Sequence, residues 1–280
     1  MKRLLITIST TLFLCGTSFA WGLREHAAVA QIAENHLTPK AKEWVSKYLG
    51  GKPMAYYASF PDYFRQKMLI DAGFEYEGGK RMTAFSHAFY TDKNFKPYRT
   101  NRDENGKLLK NTLYDMERLA KGLKENHRTM SDSMCLVHIY CIIHGMGDMH
   151  CPMHVESDIH NPTPHGKYKV IQLWKKKEQT RSLHGVWESH MITRYQPWGF
   201  TELARILDTY SEEEIAEICK GDLYTWGEDS ARSAARVYSA YPAGSTVEVV
   251  SLFENFQSFA EKQLSKAGYR LAKVLNDIFE

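Results

Sequence analysis

Beyond residue 20 the chain has no long apolar run, so no later segment is predicted to cross a membrane. Net charge is also small, because 36 Lys and Arg against 33 Asp and Glu give +3. A near-neutral protein does not bind polyanions through lysine and arginine alone, so a phosphate-handling site would need positive charge from bound metal. Repeats, low-complexity runs and Pro/Gly/Ser-rich linkers are absent, which favours a single domain over residues 21–280.

The first twenty residues have the pattern of a signal peptide. Lys2 and Arg3 precede an apolar stretch at 4–16, and the triplet 18–20 is a small-x-small cleavage site. We predict that residues 1–20 are removed, which leaves Trp21 as the first residue of an exported protein. Whether that protein stays in a periplasm or becomes extracellular is left open.

Cysteines are few. The predicted mature chain has four: Cys135, Cys141, Cys151 and Cys219. Four cysteines permit disulfides in an exported protein but do not form a dense framework. Cys135 and Cys141 point to different sides of a predicted helix, so they are not expected to pair with each other. The pairing is otherwise open.

Apolar residues recur with the period of a helix along most of the chain. The pattern predicts helices at 23–37, 39–50, 111–126, 134–149, 201–209, 212–219, 222–239 and 246–279, with one more beginning at 59–61. The one convincing strand signal is Lys167 to Trp174, which we interpret as a small β-hairpin. The predicted fold is therefore an all-α, single compact helical domain.

Twelve histidines are present, and three of them are followed four residues later by an acid: His144 by Asp148, His154 by Asp158 and His184 by Glu188. Helical geometry adds weight to the first and the last pair, because both side chains lie on one helical face and can chelate one ion. The run around Asp148 is apolar but contains two glycines, each unfavourable in a helix by about 1 kcal/mol relative to alanine. A buried histidine and aspartate need partners, and a metal ion satisfies both.

Taken singly, these residues also fit ordinary structural roles. Asp62 in a first helical turn is typical of a capping residue. His26 on an alanine-rich helix is typical of a core histidine, and the His184/Glu188 pair is typical of a solvated helix surface. The interpretation as metal ligands therefore depends on the set of motifs taken together.

The motifs occur in a characteristic order: WGLREH from residue 21, SFPDYFR from 59, FSHAFY from 85, HGMGDMHCPMH from 144 and SLHGVWES from 182. With YTWGEDSARSAARVY and KAGYRLAKVLN further on, this set resembles the zinc-dependent single-strand nucleases of the nuclease S-one/P-one type. Their superfamily also contains bacterial zinc-dependent phospholipases C. The resemblance extends over most of the chain after residue 20.

The resemblance implies a set of nine ligands for three zinc ions. One ion would be held by Asp62, His87, His144 and Asp148, a second by the amine and carbonyl of Trp21 with His26 and Asp148, and a third by His154, His184 and Glu188. Imidazole and carboxylate groups suit zinc. The predicted catalytic residues are Asp62 and Arg65, the latter steadying a phosphate oxygen. Two further histidines, His150 and His190, are expected to support the ligands.

The implied activity is cleavage of single-stranded DNA or RNA to 5′-phosphorylated products, with 3′-nucleotidase activity. Single-stranded nucleic acid or nucleotides would be the substrates, and neither a protein partner nor stable membrane association is predicted. Glu188 departs from the nucleases, which usually have Asp there, and favours the alternative of a zinc phospholipase C. The 29 residues between His154 and His184 favour the nucleases.

Ala88 follows His87 where the nucleases have an aromatic residue, so their base-stacking pocket is not carried over. A third alternative is a non-catalytic helical protein whose sites have decayed.

Overall fold

The computed structural model describes residues 21–63, 69, 85–102, 105–106, 108–109, 111–157, 167–171, 178–192 and 197–280. Helices dominate this part of the chain, and the all-α prediction is confirmed. The helices are α1 Leu23–Asn35, α2 Pro39–Tyr48, α3 Met54–Tyr57, α4 Phe60–Tyr63, α5 Thr112–Asn126, α6 Asp132–Met149, α7 Leu183–His190, α8 Phe200–Leu207, α9 Glu212–Ile218, α10 Leu223–Ala240 and α11 Val249–Phe279. A short 3₁₀ helix, Pro152–His154, follows α6.

Short strands join parts of the chain that are far apart in sequence. They are β1 Phe89–Tyr90, β2 Val155–Glu156, β3 Lys167–Ile171, β4 Glu178–Ser182 and β5 Thr246–Glu248. The predicted hairpin is present, since β3 pairs with β4 in antiparallel fashion. The predicted helix at 246–279 is wrong over its first three residues, because β5 pairs with β3 instead. Thr246 and Val247 are β-branched, which favours the extended conformation.

The parallel pair of β1 and β2 brings two predicted ligands together. Phe89 pairs with Val155. His87 lies two residues before Phe89, and His154 lies directly before Val155. This two-residue ladder therefore fixes the backbone of both histidines on the same side of the molecule.

Serine caps begin the two helices that carry most of the candidate ligands. The Ser131 hydroxyl accepts a hydrogen bond from the Met134 backbone N–H at 3.3 Å at the start of α6. The Ser182 hydroxyl accepts one from the Gly185 N–H at 3.0 Å at the start of α7. Because such caps satisfy otherwise unpaired helical N–H groups, they fix where each helix begins.

Nearly all of α6 is buried, and it lies within a continuous apolar core to which α1, α5 and α11 also contribute. Among the described residues, no helix is both long and apolar enough to span a membrane.

The four cysteines are buried and free, so the structure contains no disulfide between them. Burial raises the pKa of the Cys141 and Cys151 thiols well above its ordinary value, which keeps them in the unreactive thiol form.

A buried polar network attaches α11 to the end of α6. The Arg270 guanidinium donates to His150 Nε2 at 2.9 Å, to the Ile218 carbonyl at 3.0 Å and to Asp229 Oδ2 at 3.2 Å. His150 Nδ1 lies 2.9 Å from the Met146 carbonyl oxygen and therefore donates to it, which leaves Nε2 free to accept. His150 follows the end of α6, so the network fixes the end of the helix on which Asp148 lies.

We expect Arg270→Ala to lower the free energy of unfolding by about 3–5 kcal/mol, as when one partner of a buried charged network is removed. The control is Lys273→Ala on the same helix, because Lys273 is 37% exposed and pairs with Asp277 at 2.7 Å. That change should lower stability by about 0.5 kcal/mol or less. Urea unfolding monitored by circular dichroism measures both. Equal effects in the two variants would show that the network contributes no more than a surface ion pair.

Candidate metal centre

His26, His144 and Asp148 form the first group of candidate ligands, with their ligating atoms within 4.8 Å of one another. His26 comes from α1, and the other two come from the last turns of α6. His26 Nε2 lies 3.4 Å from Asp148 Oδ1, and His144 Nε2 lies 3.2 Å from Asp148 Oδ2. The two imidazole rings stack with their centroids 4.1 Å apart. Each side of the Asp148 carboxylate therefore faces a different histidine.

Asp62, His87 and His144 form a second group that adjoins the first. His144 Nε2 lies 3.0 Å from His87 Nδ1 and 3.5 Å from Asp62 Oδ1. His87 Nδ1 is also 2.9 Å from Asp148 Oδ2. His144 thus belongs to both groups, and Asp148 of the first group also contacts His87 of the second, so the two groups adjoin directly.

His154, His184 and Glu188 form the third group. His184 Nε2 lies 3.1 Å from His154 Nε2 and 3.1 Å from Glu188 Oε1. The His154 ring is 6.2 Å from the His87 ring, measured between centroids. All three groups therefore belong to one continuous cluster, which contains all eight of the histidines and acids named as ligands from the sequence.

The tautomer of His144 follows from its outer contact. Its Nδ1 lies 2.8 Å from the Ala58 carbonyl oxygen, which can only accept a hydrogen bond. Nδ1 must then carry hydrogen, so that in the neutral ring the lone pair of Nε2 points at His87, Asp62 and Asp148. Such an outer hydrogen bond is the usual way in which a metal-binding histidine is oriented. The sequence did not reveal it because the acceptor is a backbone group.

Gly145 and Gly147 allow other helices to approach α6 closely. A Cβ on Gly147 would lie 2.6 Å from His26 Nδ1, and a Cβ on Gly145 would lie 2.9 Å from Thr112 Oγ1 and 3.0 Å from Met116 Sδ. Both separations are too short for any side chain. The absence of a Cβ at residue 147 is thus what places the His26 ring next to Asp148.

We expect Gly147→Ala to lower the free energy of unfolding by about 1–3 kcal/mol, because the methyl group overpacks the contact with His26. The His26 ring must also move, so the affinity of the cluster for a metal ion should fall as well. Gly122→Ala in α5 is the control, since its Cβ would meet His138 at an ordinary 3.6 Å. That change should raise stability by about 0.5–1 kcal/mol through helix propensity. Urea unfolding and zinc titration test both. Stabilisation by Gly147→Ala would contradict the close contact.

The charges of the cluster favour a cation at its centre. Burial pushes the pKa of His144 down, but the Asp148 and Asp62 carboxylates outweigh it and raise that pKa to about 9. Burial lowers the pKa of His154 well below its usual range and also lowers that of His26, so both rings are neutral and have a lone pair. A metal ion that binds here would take the place of the His144 proton.

Trp21 lies against the same end of α6. Its side chain is 1% exposed, and its Nε1–H donates a hydrogen bond to the Gly147 carbonyl at 3.0 Å. Its ring also packs on Trp187, with centroids 6.2 Å apart. Gly147 directly precedes Asp148, and Trp187 directly precedes Glu188. The residue that we predict to be the mature terminus is thus fixed beside two of the ligand-bearing helices.

The donors in the cluster fit a metal that prefers nitrogen and oxygen ligands. Within the part of the chain that the structure describes, both ring nitrogens of His26, Asp148 Oδ1 and Asp62 Oδ2 are buried and make no hydrogen bond. Buried polar atoms almost always have a partner, so these atoms indicate a ligand for this cluster. Imidazole nitrogens with carboxylate oxygens are the donors that zinc binds in proteins.

Other site predictions have different outcomes. Arg65 lies outside the described residues, as does the side chain of His190. His150 contacts the Arg270 network, and no contact between it and a candidate ligand is seen among the described residues. One buried acid was not predicted from the sequence: Glu25, which directly precedes His26 and is 1% exposed. Burial raises the pKa of Glu25 to about 7, an effect that its own backbone N–H and Arg24 offset only in part.

Comparison with known proteins identifies the family to which the chain belongs. The family described as S1/P1 Nuclease matches residues 21–280. Nuclease P1 of Penicillium citrinum is 23% identical over 288 residues, covering 92% of this chain and 97% of that protein. Nuclease PA3 of Penicillium sp is 22% identical over 287 residues, with the same coverage. Since the family matches the whole described region, and the resemblance of the motifs points to the same proteins, the chain belongs to the S1/P1 nuclease family.

Proposed function

We propose that this chain is a zinc-dependent phosphodiesterase that cleaves single-stranded DNA or RNA to 5′-phosphorylated products and also acts as a 3′-nucleotidase. Membership of a nuclease family supports the reaction class. The observation that carries the proposal is the position of Asp148. Its two oxygens face separate histidines, His26 and His144, so one carboxylate can join two neighbouring ions.

The proposed ligands are the nine groups named from the sequence, and three zinc ions are the proposed cofactors. The two groups that share His144 would hold a pair of ions, with Asp148 in contact with both groups, and the third group would hold one more. Trp21 is the proposed terminal ligand of the pair, through an amine that exists only after residues 1–20 are removed. Its burial beside Gly147 supports this assignment.

Zinc held by these residues would supply Lewis acidity and would make a water molecule acidic enough to lose a proton near neutral pH. The reaction forms a bond from water oxygen to phosphorus and breaks the bond from phosphorus to the 3′ oxygen, which leaves with a proton. Ala58 holds the His144 ring so that Nε2 faces the centre. Arg65 is proposed to steady a phosphate oxygen.

The recessed position of the cluster supports a preference for single strands. The side chains of His26, His144 and Asp148 are 1%, 0% and 0% exposed, whereas that of His87 is 22% exposed. We therefore expect a substrate phosphate to approach the cluster from the side of His87. To reach the recessed ligands, the nucleotides next to that phosphate must separate from any paired strand. An unstacked single strand can do this without the loss of base pairing.

The test combines metal analysis with a substrate panel. The purified protein should contain about three zinc ions per chain, lose activity on treatment with a strong chelator and regain it with zinc. Single-stranded RNA, single-stranded DNA, duplex DNA, a 3′-nucleotide and phosphatidylcholine vesicles form the panel. Clear preference for phosphatidylcholine would favour the phospholipase C suggested by Glu188. A zinc-free protein with unchanged melting would favour a decayed, non-catalytic site.

Export to a periplasm or to the medium is part of the proposal, because the terminal ligand depends on signal-peptide removal. Intact-mass spectrometry of the protein from an exporting host should give a chain that begins at Trp21. A mature chain that begins elsewhere would remove Trp21 from the ligand set. The other eight ligands would be unaffected.

A further inference from the structure

Glu25 is a buried acid that directly precedes the candidate ligand His26 and is not a member of the ligand set. It lies in the first turn of α1 and is 1% exposed. Its Oε2 atom is buried and makes no hydrogen bond to any residue that the structure describes. A buried carboxyl oxygen without a partner is unfavourable, so a group that would satisfy it is expected nearby.

The Glu25 carboxyl lies against the backbone of Gly22. A Cβ on Gly22 would be 2.5 Å from Glu25 Oε2 and 3.8 Å from the Glu188 carbonyl oxygen. Gly22 is the second residue of the predicted mature chain, and its neighbour Trp21 is fixed by Gly147 and Trp187. The carboxyl is therefore placed next to the first peptide unit of that chain.

An acid in this position of a helix ordinarily accepts a hydrogen bond from the N–H of the capping residue. The same arrangement occurs at the start of α8, where a Cβ on Gly199 would lie 2.6 Å from Glu202 Oε2. Glu202 is exposed and far in sequence from the ligands, so capping is a sufficient role for it. Glu25 differs because it is buried beside a terminus whose amine carries N–H groups of its own.

Building on the proposed zinc centre, we propose that Glu25 is a positioning residue for the terminal ligand. Its carboxylate accepts hydrogen bonds from the N–H groups of the freed Trp21 α-amine and holds the nitrogen lone pair toward His26 and Asp148. Hydrogen bonds between a carboxylate and an amine are among the stronger ones in proteins. Groups that orient a metal ligand in this way typically change metal affinity by about 10–100-fold.

A double-mutant cycle tests this, with zinc affinity measured by competition against a chelator. The four proteins are the mature chain, Glu25→Ala, a chain with one alanine added before Trp21, and the combination. Glu25→Ala should weaken the affected zinc site at least about tenfold in the mature chain and have little effect in the extended chain, which has no α-amine at Trp21. Glu25→Gln, whose amide oxygen still accepts a hydrogen bond, should recover most of the affinity.

Glu202→Ala is the matched control, and it should leave zinc affinity unchanged. Urea unfolding after chelation checks that each variant folds. An equal loss from Glu25→Ala in both backgrounds would overturn the proposal and assign Glu25 to packing or capping. If the extended chain with Glu25 intact bound zinc as tightly as the mature chain, the proposal would also be overturned, because the terminus would not be a ligand. A mature chain that binds zinc but cuts no nucleic acid would refute the proposed function and leave the role of Glu25 intact.

Discussion

Asp148→Asn should lower kcat/KM on single-stranded RNA by about 10⁴-fold, equivalent to about 5 kcal/mol of transition-state stabilisation. The amide keeps the shape of the carboxylate but has no charge, and its nitrogen cannot ligate. Asp148 faces His26 on one side and His144 on the other, so its loss should weaken binding of both shared ions. Zinc content should fall from about three ions per chain to about one, because only the ion held by His154, His184 and Glu188 would remain.

Asp132→Asn is the control for this substitution. Asp132 is the first residue of the same helix, is 65% exposed and lies 3.8 Å from Lys47. Its replacement should change neither zinc content nor rate, because an exposed ion pair contributes about 1 kcal/mol or less. Elemental analysis measures the zinc content, steady-state kinetics the rate, and circular dichroism checks that each variant is folded. Full zinc content in folded Asp148→Asn would show that Asp148 does not join two ions.

The helices that the sequence predicted well are those with a long amphipathic or apolar pattern. Helix α6 was expected at 134–149 and is found at Asp132–Met149. Helix α3 was missed because four residues, Met54–Tyr57, are too few to show a period. Strand β5 was assigned to a helix because its pairing with β3, a distant segment, decides its conformation. Pairing between distant segments leaves little trace in a local pattern.

The ligand residues were predicted from their motifs, whereas the groups that place them were not. Gly145 and Gly147 stand out in the sequence because glycine is unfavourable in an apolar helix, and metal binding was predicted from His144 and Asp148 beside them. The structure adds a steric reason, since the side chains of Met116 and His26 occupy the space that a Cβ would need. The Ala58 carbonyl acts on His144 through a contact between separate elements. A sequence cannot reveal such contacts until the elements are packed.

Adding one alanine before Trp21 should reduce zinc content from about three ions per chain to about two and lower kcat/KM by about 10³-fold or more. The extension turns an amine with a reference pKa of about 7.7–8.0 into an amide nitrogen, which has no lone pair available for a metal. The new amine cannot replace it at the same place. Trp21 is held by its hydrogen bond to Gly147 and by Trp187, so the chain cannot slip by one residue.

The variant Trp21→Phe distinguishes the role of the terminal amine from the role of the Trp21 side chain. It keeps the α-amine and carbonyl but removes the indole N–H that donates to Gly147 at 3.0 Å, a hydrogen bond that contributes about 1 kcal/mol. Zinc content should stay near that of the unaltered mature protein, and the rate should fall far less than in the extended chain. If the extended chain kept its zinc and its rate while Trp21→Phe lost both, the indole would be what the site needs from residue 21. The opposite pattern would make signal-peptide cleavage the step that completes the metal centre, so that a chain still carrying residues 1–20 would be inactive before export.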